Sequence, residues 1–240
     1  MDTTGYTTLA RQSGLLNNMQ AVANNMANLS TTGYRRERVI FTEFVASTGT
    51  ATPSLSMAAA RARDTDMTQA PLRQTGGTLD LAIEGPGFFL VDTPDGVALT
   101  RAGTFTLLPD GRLATPQGFP LLDAGGAAIQ VPGPGAAIAV AQDGTVSSDG
   151  QPLAQIGLWD NPGPTPPARR DGVMFRPDGA PIPAEPGARI LQGFVEEANV
   201  NPITEMARMI EVQRAYELGQ GLLDREDERI RAVIRTLAQQ

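Results

Sequence analysis

The sequence predicts an α+β protein, with N- and C-terminal helices paired as a coiled-coil-like stem, an inserted antiparallel all-β domain and an extended connector. Three observations predict it. Apolar residues near both ends of the chain recur at heptad spacing, the middle reads as short alternating runs, and six Asp-Gly dipeptides punctuate those runs. The expected boundaries are 1–34 for the first stem helix, 35–78 for the connector, 79–195 for the β domain and 196–240 for the second stem helix.

The first helix is expected over residues 7–29, on the seam Leu9, Leu16, Met19, Ala23 and Met26. Leu15, Val22 and Leu29 flank that seam and widen it to about three positions in seven, as for a helix with more than one neighbour. Its polar side carries amides: Asn17, Asn18, Gln20, Asn24, Asn25 and Asn28. Asparagine is a mediocre helix former, so this helix is not built for isolated stability. The amides read either as an ordinary solvated face or as a surface that hydrogen-bonds to copies of itself or to related chains. Gly33, in Ser30-Thr31-Thr32-Gly33-Tyr34, is the expected breaker.

Residues 35–78 show no clear period. Arg35, Arg36 and Arg38 form a basic cluster, read first as a solvated turn and second as an interface with acidic neighbours. The Thr-, Ser- and Ala-rich run Ser47–Ala62 reads as extended or mobile. So long a connector is unusual inside a compact domain, and is expected to pack along something else or to order only in an assembly.

Strands are expected at 79–83, 88–91, 97–100, 104–108, 112–115, 137–141, 154–159 and 190–195. The dipeptides Asp95-Gly96, Asp110-Gly111, Asp143-Gly144, Asp149-Gly150, Asp171-Gly172 and Asp178-Gly179 suit type I′ turns, whose central residues both take positive φ. The proline-rich stretches 161–167 and 177–186 read as loops. Gly85-Pro86-Gly87 fails as a phosphate-binding loop, because Leu90 stands where a third glycine belongs and strands follow; it reads as a tight turn. Asp80 and Glu84 read as surface residues rather than an acid/base pair.

The last helix opens at Asn201-Pro202, an oxygen cap followed by a proline at the first helical position, where its missing N–H costs nothing. Met209, Tyr216, Leu223, Ile230 and Leu237 recur every seven residues. Val212 and Val233 form a second row, interrupted by Gly219 and Glu226. Such a helix is roughly 54 Å long, too long and too narrowly apolar to stand without a partner helix. Opposite charges at Glu205/Arg208, Glu211/Arg214, Asp227/Arg231 and Glu228/Arg231 support an exposed face. Their mixed signs favour a protein partner over a membrane surface.

Composition narrows the function. The 240 residues suffice for one large or two small domains, and a net charge of −7 argues against a nucleic-acid partner. The chain has no cysteine and no histidine, which excludes disulfides, thiolate metal sites and a cysteine nucleophile and removes the commonest general base. No cofactor, no metal site, no catalytic residues and no membrane insertion are expected. The opening Met1–Tyr6 lacks the basic flank and apolar core of a cleaved secretory signal.

Four blocks, in order, resemble the bacterial flagellar rod and hook proteins. Ala23-Asn24-Asn25-Met26-Ala27-Asn28-Leu29-Ser30-Thr31-Thr32-Gly33-Tyr34 looks like their N-terminal signature. Gln74-Thr75-Gly76-Gly77-Thr78-Leu79-Asp80-Leu81-Ala82-Ile83-Glu84-Gly85-Pro86-Gly87-Phe88-Phe89 is similar to their entry into the β domain, and Thr100-Arg101-Ala102-Gly103-Thr104-Phe105 follows as it does there. Glu197-Ala198-Asn199-Val200-Asn201-Pro202, Glu205-Met206 and Met209–Glu217 match the C-terminal block. The departures are Ala198 where serine is usual and Pro86 between two glycines. The short chain and its opening Met1-Asp2 followed by Tyr6 look most like the proximal rod members.

The resemblance implies a subunit of the basal-body rod, the drive shaft that crosses the periplasm. It implies passage through the flagellar type III export apparatus without a cleaved signal peptide, and assembly with copies of itself and with other proximal and distal rod proteins. Packing is then expected at Leu16, Met19, Ala23, Met26, Met209, Tyr216, Leu223 and Ile230, with Asn24, Asn25, Asn28, Asn199, Asn201, Gln213 and Arg214 completing the surface. Gly219 and Glu226 are read as points where a neighbouring subunit approaches. The terminal helices are expected to be partly disordered alone and to order on assembly. The alternatives are a distal rod subunit, a non-flagellar self-assembling surface protein, and a carbohydrate-active enzyme using carboxylate pairs on a β scaffold.

Overall fold

The computed structural model describes residues 3–46, 55–132 and 137–237, with side chains over the same ranges except 3–7, 41–62 and 233. It is α+β with antiparallel strand pairs, as expected, and divides into two units. One comprises Met1–Ala27, Glu37–Asp66 and Val200–Gln240; the other comprises Asn28–Arg36 and Met67–Asn199.

The first unit contains helix α1 (Thr3–Ala27), strands β1 (Glu37–Ala46) and β2 (Leu55–Thr65), and helix α2 (Pro202–Leu237). Residues 35–78 are therefore not a bare connector, because β1 and β2 pair antiparallel from Glu37 opposite Thr65 to Ala46 opposite Leu55. A register shift at Ile40/Phe41 explains why no period was legible there, since a bulge breaks the alternation of faces. Arg38, expected in a basic cluster, pairs across the hairpin with Asp64 at 3.2 Å. Residues 47–54 of the Ser47–Ala62 run, and the side chain of Val233 in the second apolar row, lie outside the described residues.

α2 begins where its cap predicts. Asn201 Oδ1 accepts from the backbone N–H groups of Ile203 (3.0 Å) and Thr204 (3.1 Å), and Pro202 is the first helical residue. Asn201→Ala is expected to cost about 1 kcal/mol and to speed amide exchange at 203–205, and unchanged protection there would contradict the cap. Asp227 and Arg231 pair at 2.7 Å as expected, and Glu226 pairs with Arg229 at 2.5 Å.

The two helices lie antiparallel. Gln12 Nε2 donates to the Tyr216 carbonyl at 3.0 Å, and Asn25 Nδ2 donates to Glu205 Oε2 at 3.1 Å. On α2 the buried and half-buried residues Glu205, Met209, Val212, Tyr216, Gly219, Leu223 and Glu226 follow one another at intervals of four and three, so the expected row faces inward along this stretch. α1 departs from expectation. Its buried residues include Gln12, Asn18, Ala21, Val22 and Asn25, whereas Leu9 is 58% and Leu16 43% exposed. Met19 and Met26 are half-buried and Ala23 is exposed. Apolar spacing shows which side chains favour burial; it does not show that amides bonded to neighbouring elements outcompete them within one molecule.

In the second unit, β3 (Leu72–Gln74) pairs with Phe194–Glu196 and β4 (Leu81–Glu84) pairs with Arg189–Gln192. The strand expected at 190–195 is thus two strands, divided at Gly193 (φ +78°) and serving different partners. β5 (Phe89–Thr93) and β6 (Gly96–Thr100) form a four-stranded sheet with Ala168–Asp171 and Met174–Arg176. Leu81, Ile83, Phe89, Phe105, Leu121 and Ile129 centre the core, where Phe89 and Phe105 meet edge-to-face at 5.3 Å. Glu84 pairs with Arg189 at 2.9 Å, while Asp80 accepts from Thr75 at 2.6 Å, so neither engages the other in acid/base chemistry.

The six Asp-Gly glycines all take positive φ, but Asp149 (φ 49°) is the one non-glycine residue among those described that does so. The expected type I′ geometry therefore fits Asp149-Gly150 alone. At two of the others the aspartate braces the turn with its side chain: Asp110 Oδ1 accepts from Arg112 N (3.1 Å) and Asp143 Oδ1 from Thr145 N (3.0 Å). The Arg112 side chain, and after it the Arg112 N–H, holds the Asp110 carboxyl below its ordinary value. The Thr145 N–H and hydroxyl do the same for Asp143.

Candidate assembly interface

The residues expected to assemble fall into two settings. The first is the loop after α1, residues 28–36, which belongs to the second unit. Gly33 has φ +70°, and a Cβ there would lie 2.2 Å from the Ala102 nitrogen and 2.4 Å from the Arg101 carbonyl carbon. Only glycine permits that approach. Its N–H donates to the Glu196 carbonyl at 2.8 Å. The next two residues, Tyr34 and Arg35, are fully buried. Arg35 is therefore not part of a solvated turn.

Glu196 is the hub. Its Oε1 accepts from Arg35 Nη1 (2.7 Å) and the Ala70 backbone N–H (2.8 Å), and its Oε2 accepts from Arg101 Nη1 (3.2 Å). Arg101 also donates to the Gly85 carbonyl at 2.8 Å and lies 5.2 Å from the Phe88 ring centroid. Arg169 lies over the rings of Tyr34 (4.7 Å) and Phe175 (5.0 Å), and donates to the Arg35 carbonyl. Burial pushes the Arg101 guanidinium below its ordinary value while Glu196 pulls it up; a guanidinium stays charged regardless.

Asn199 ties the same segments. Its Oδ1 accepts from Arg36 N (2.6 Å), its Nδ2 donates to the Thr68 carbonyl (3.0 Å), and its N–H donates to the Tyr34 carbonyl (3.2 Å). This joint gathers 33–36, 68–70 and 196–199 inside the second unit. No local signal announces it, because Arg35 and Glu196 stand 161 positions apart.

The second setting is the helices. Asn25 is buried: its Nδ2 also donates to the Glu37 carbonyl (2.9 Å) and its Oδ1 accepts from Glu37 N (2.9 Å). Met209, Tyr216 and Leu223 share the inward row of α2. Asn28, in the loop of the first setting, accepts from the Thr31 hydroxyl at 3.1 Å, and Asn201 caps α2. Leu16, Ala23, Asn24, Gln213, Arg214 and Ile230 are exposed. Gly219 is not left open for a neighbour, because a Cβ there would lie 2.4 Å from Nε2 of this chain's own Gln12.

Several large apolar side chains that periodicity did not single out also stand in solvent on α2: Ile203, Met206, Ile210, Leu218, Leu222 and Ile234. Among the described residues no cluster of acidic side chains could hold a metal, and no helix is long and apolar enough to cross a membrane.

Comparison with known proteins places this arrangement. The family description "Flagellar hook protein FlgE/F/G D1 domain" matches residues 82–148, and "Flagellar basal body rod FlgEFG protein C-terminal" matches 191–236. The flagellar basal-body rod protein FlgF of Rhizobium meliloti (strain 1021) is 37% identical over 220 residues, covering 90% of each chain. The chain belongs to the flagellar basal-body rod protein family. A second member, FlgF of Caulobacter vibrioides, is 36% identical over 245 residues, covering 99% of this chain and 98% of its own. FlgG of Buchnera aphidicola subsp. Acyrthosiphon pisum is 33% identical over 239 residues, covering 88% and 90%. In this rod-family chain the C-terminal match takes in all but the last residue of α2, and the D1 match runs from β4 to the strand Thr145–Ser148.

Proposed function

We propose that the chain is a structural subunit of the proximal flagellar rod, self-assembling into the drive shaft that transmits torque across the periplasm. Its terminal helices form a coiled-coil-like inner layer, its β domain is an insertion between them, and its partners are copies of itself and other rod proteins. It reaches the rod through the flagellar type III export apparatus. Its work is mechanical.

One observation carries this reading. The helix pair lines its inward face with amides and a single apolar row, and leaves large apolar side chains in water on both helices. Ile203 is 78% and Leu218 77% exposed. Burying one such side chain is worth about 1.5–3 kcal/mol, which supports a contact repeated along a shaft. Contacts between unlike faces propagate as an open helix where the rotation between subunits does not close, as a shaft requires. Deletion of residues 203–240 is expected to abolish motility and to leave basal bodies without this subunit. Normal rods containing the truncated chain would sink the reading.

A further inference from the structure

We infer that Asn199 is the cross-tie of a three-ply joint in the second unit, which shares a pull on one chain segment among three. The inference rests on the rod reading and names the element of this chain that takes the load of the shaft. It starts from connectivity. The chain passes between the two units four times, after Ala27, Arg36, Asp66 and Asn199, so force carried by the backbone enters the second unit at those points.

Three of the four crossings are gathered at Asn199. Its Oδ1 accepts from Arg36 N at 2.6 Å and its Nδ2 donates to the Thr68 carbonyl at 3.0 Å, so one amide holds the ends of three segments together. Behind that tie the segments pair. Gly33 N–H donates to the Glu196 carbonyl (2.8 Å) and Asn199 N–H to the Tyr34 carbonyl (3.2 Å), so 33–36 and 196–199 run side by side in one direction. The next N–H along, that of Glu197, points the other way and donates to the Pro71 carbonyl at 3.0 Å. β3 continues that pairing, antiparallel to Phe194–Glu196. The segment 196–199 is therefore the middle ply. The Glu196 carboxylate spans the same three, accepting from Arg35 Nη1 (2.7 Å) and the Ala70 N–H (2.8 Å).

Bonds loaded together divide a force, and the rate at which each breaks rises steeply with the force on it. Forced unfolding is governed by that rate. A pull on the middle ply alone would load its own pairings in turn, whereas the Asn199 amide passes part of it to Arg36 and Thr68 at the point of entry. Glu196 buried within the joint and Asn199 at its crossing end thus act at successive levels of one bundle.

The absence of native cysteine lets handles be attached at chosen points of the full-length chain. Ile203→Cys, at a residue 78% exposed just past Asn199, is paired with Gln151→Cys beside the Asp149-Gly150 turn, so that the pull passes through the joint. A second pair, Gln117→Cys with Gln151→Cys, loads the same unit from two exposed positions outside the joint. At constant force Asn199→Ala is expected to rupture about tenfold faster than the parent along the first axis, for the loss of two hydrogen bonds, and at an unchanged rate along the second. Asn199→Asp keeps the oxygen facing Arg36 N–H but loses the donor to Thr68, and is expected to fall between. An Asn199→Ala chain that ruptures like the parent along the first axis, or equally faster along both, would overturn the cross-tie. So would an Asn199→Asp chain no faster than the parent. In cells, Asn199→Ala as the sole copy is expected to enter basal bodies normally and to stop swimming at a lower viscosity than the parent. Swimming that matches the parent at every viscosity would overturn the part of the joint in the shaft. Absence of the unsubstituted chain from basal bodies would overturn the rod reading and leave the force result standing.

Discussion

Glu196→Ala is expected to destabilise the second unit by about 3–5 kcal/mol, because it strands two buried guanidiniums. Arg35 and Arg101 are 0% and 5% exposed, and the carboxylate between them balances both while satisfying the Ala70 N–H. In a chain of this size the loss corresponds to a fall in Tm of roughly 6–20 °C. A companion variant separates charge from shape. Replacing Arg35, Arg101 and Glu196 together by methionine, methionine and leucine removes every ion of the cluster, and is expected to lose less than Glu196→Ala alone. Thermal unfolding by circular dichroism measures both. A Glu196→Ala protein melting within about 2 °C of the parent would show that the carboxylate is not the hub.

Gly33→Ala carries the other large effect. A residue with a Cβ loses about 1–2 kcal/mol in the left-handed region, and here the added carbon also collides with backbone, the Ala102 nitrogen at 2.2 Å. Backbone cannot rotate aside as a side chain can, so the 28–36 loop must leave its seat and take Tyr34 and Arg35 with it. The expected loss is on the order of 3–5 kcal/mol, since the buried ion cluster then breaks as well. Gly76 supplies the control. Its φ is +73°, nearly the same, but a Cβ there meets nothing within 4 Å. Gly76→Ala is expected to cost only the backbone strain, about 1–2 kcal/mol. Equal losses at the two positions, read from denaturant midpoints, would remove the steric explanation for Gly33.

These positions show where sequence reasoning reaches and where it stops. Gly33 was legible as a helix breaker, but its tight approach to Ala102 was not, because nothing local distinguishes a turn in water from one pressed against a distant segment. Arg35 read as solvated for the same reason. The β1–β2 hairpin escaped because the bulge at Ile40/Phe41 interrupts the alternation that marks a half-buried strand. The Asp-Gly pairs located bends correctly, but Asp149 alone takes the positive φ of a type I′ turn, and at Asp110 and Asp143 the aspartate side chain braces the bend instead.

The sequence by itself determined the features whose interactions are local: the Asn201-Pro202 start of α2, the inward row from Met209 to Leu223, the short strands and their glycine turns, and the blocks shared with the rod family. Each rests on residues no more than a few turns or one hairpin apart. Tertiary structure alone decided which face of α1 turns inward and that Gln12 fills the space over Gly219. It also decided that Arg35, Arg101 and Glu196 meet in one buried cluster. Those outcomes compare burial of an apolar side chain with burial of a satisfied amide or ion pair, and the comparison turns on partners supplied from the far end of the chain.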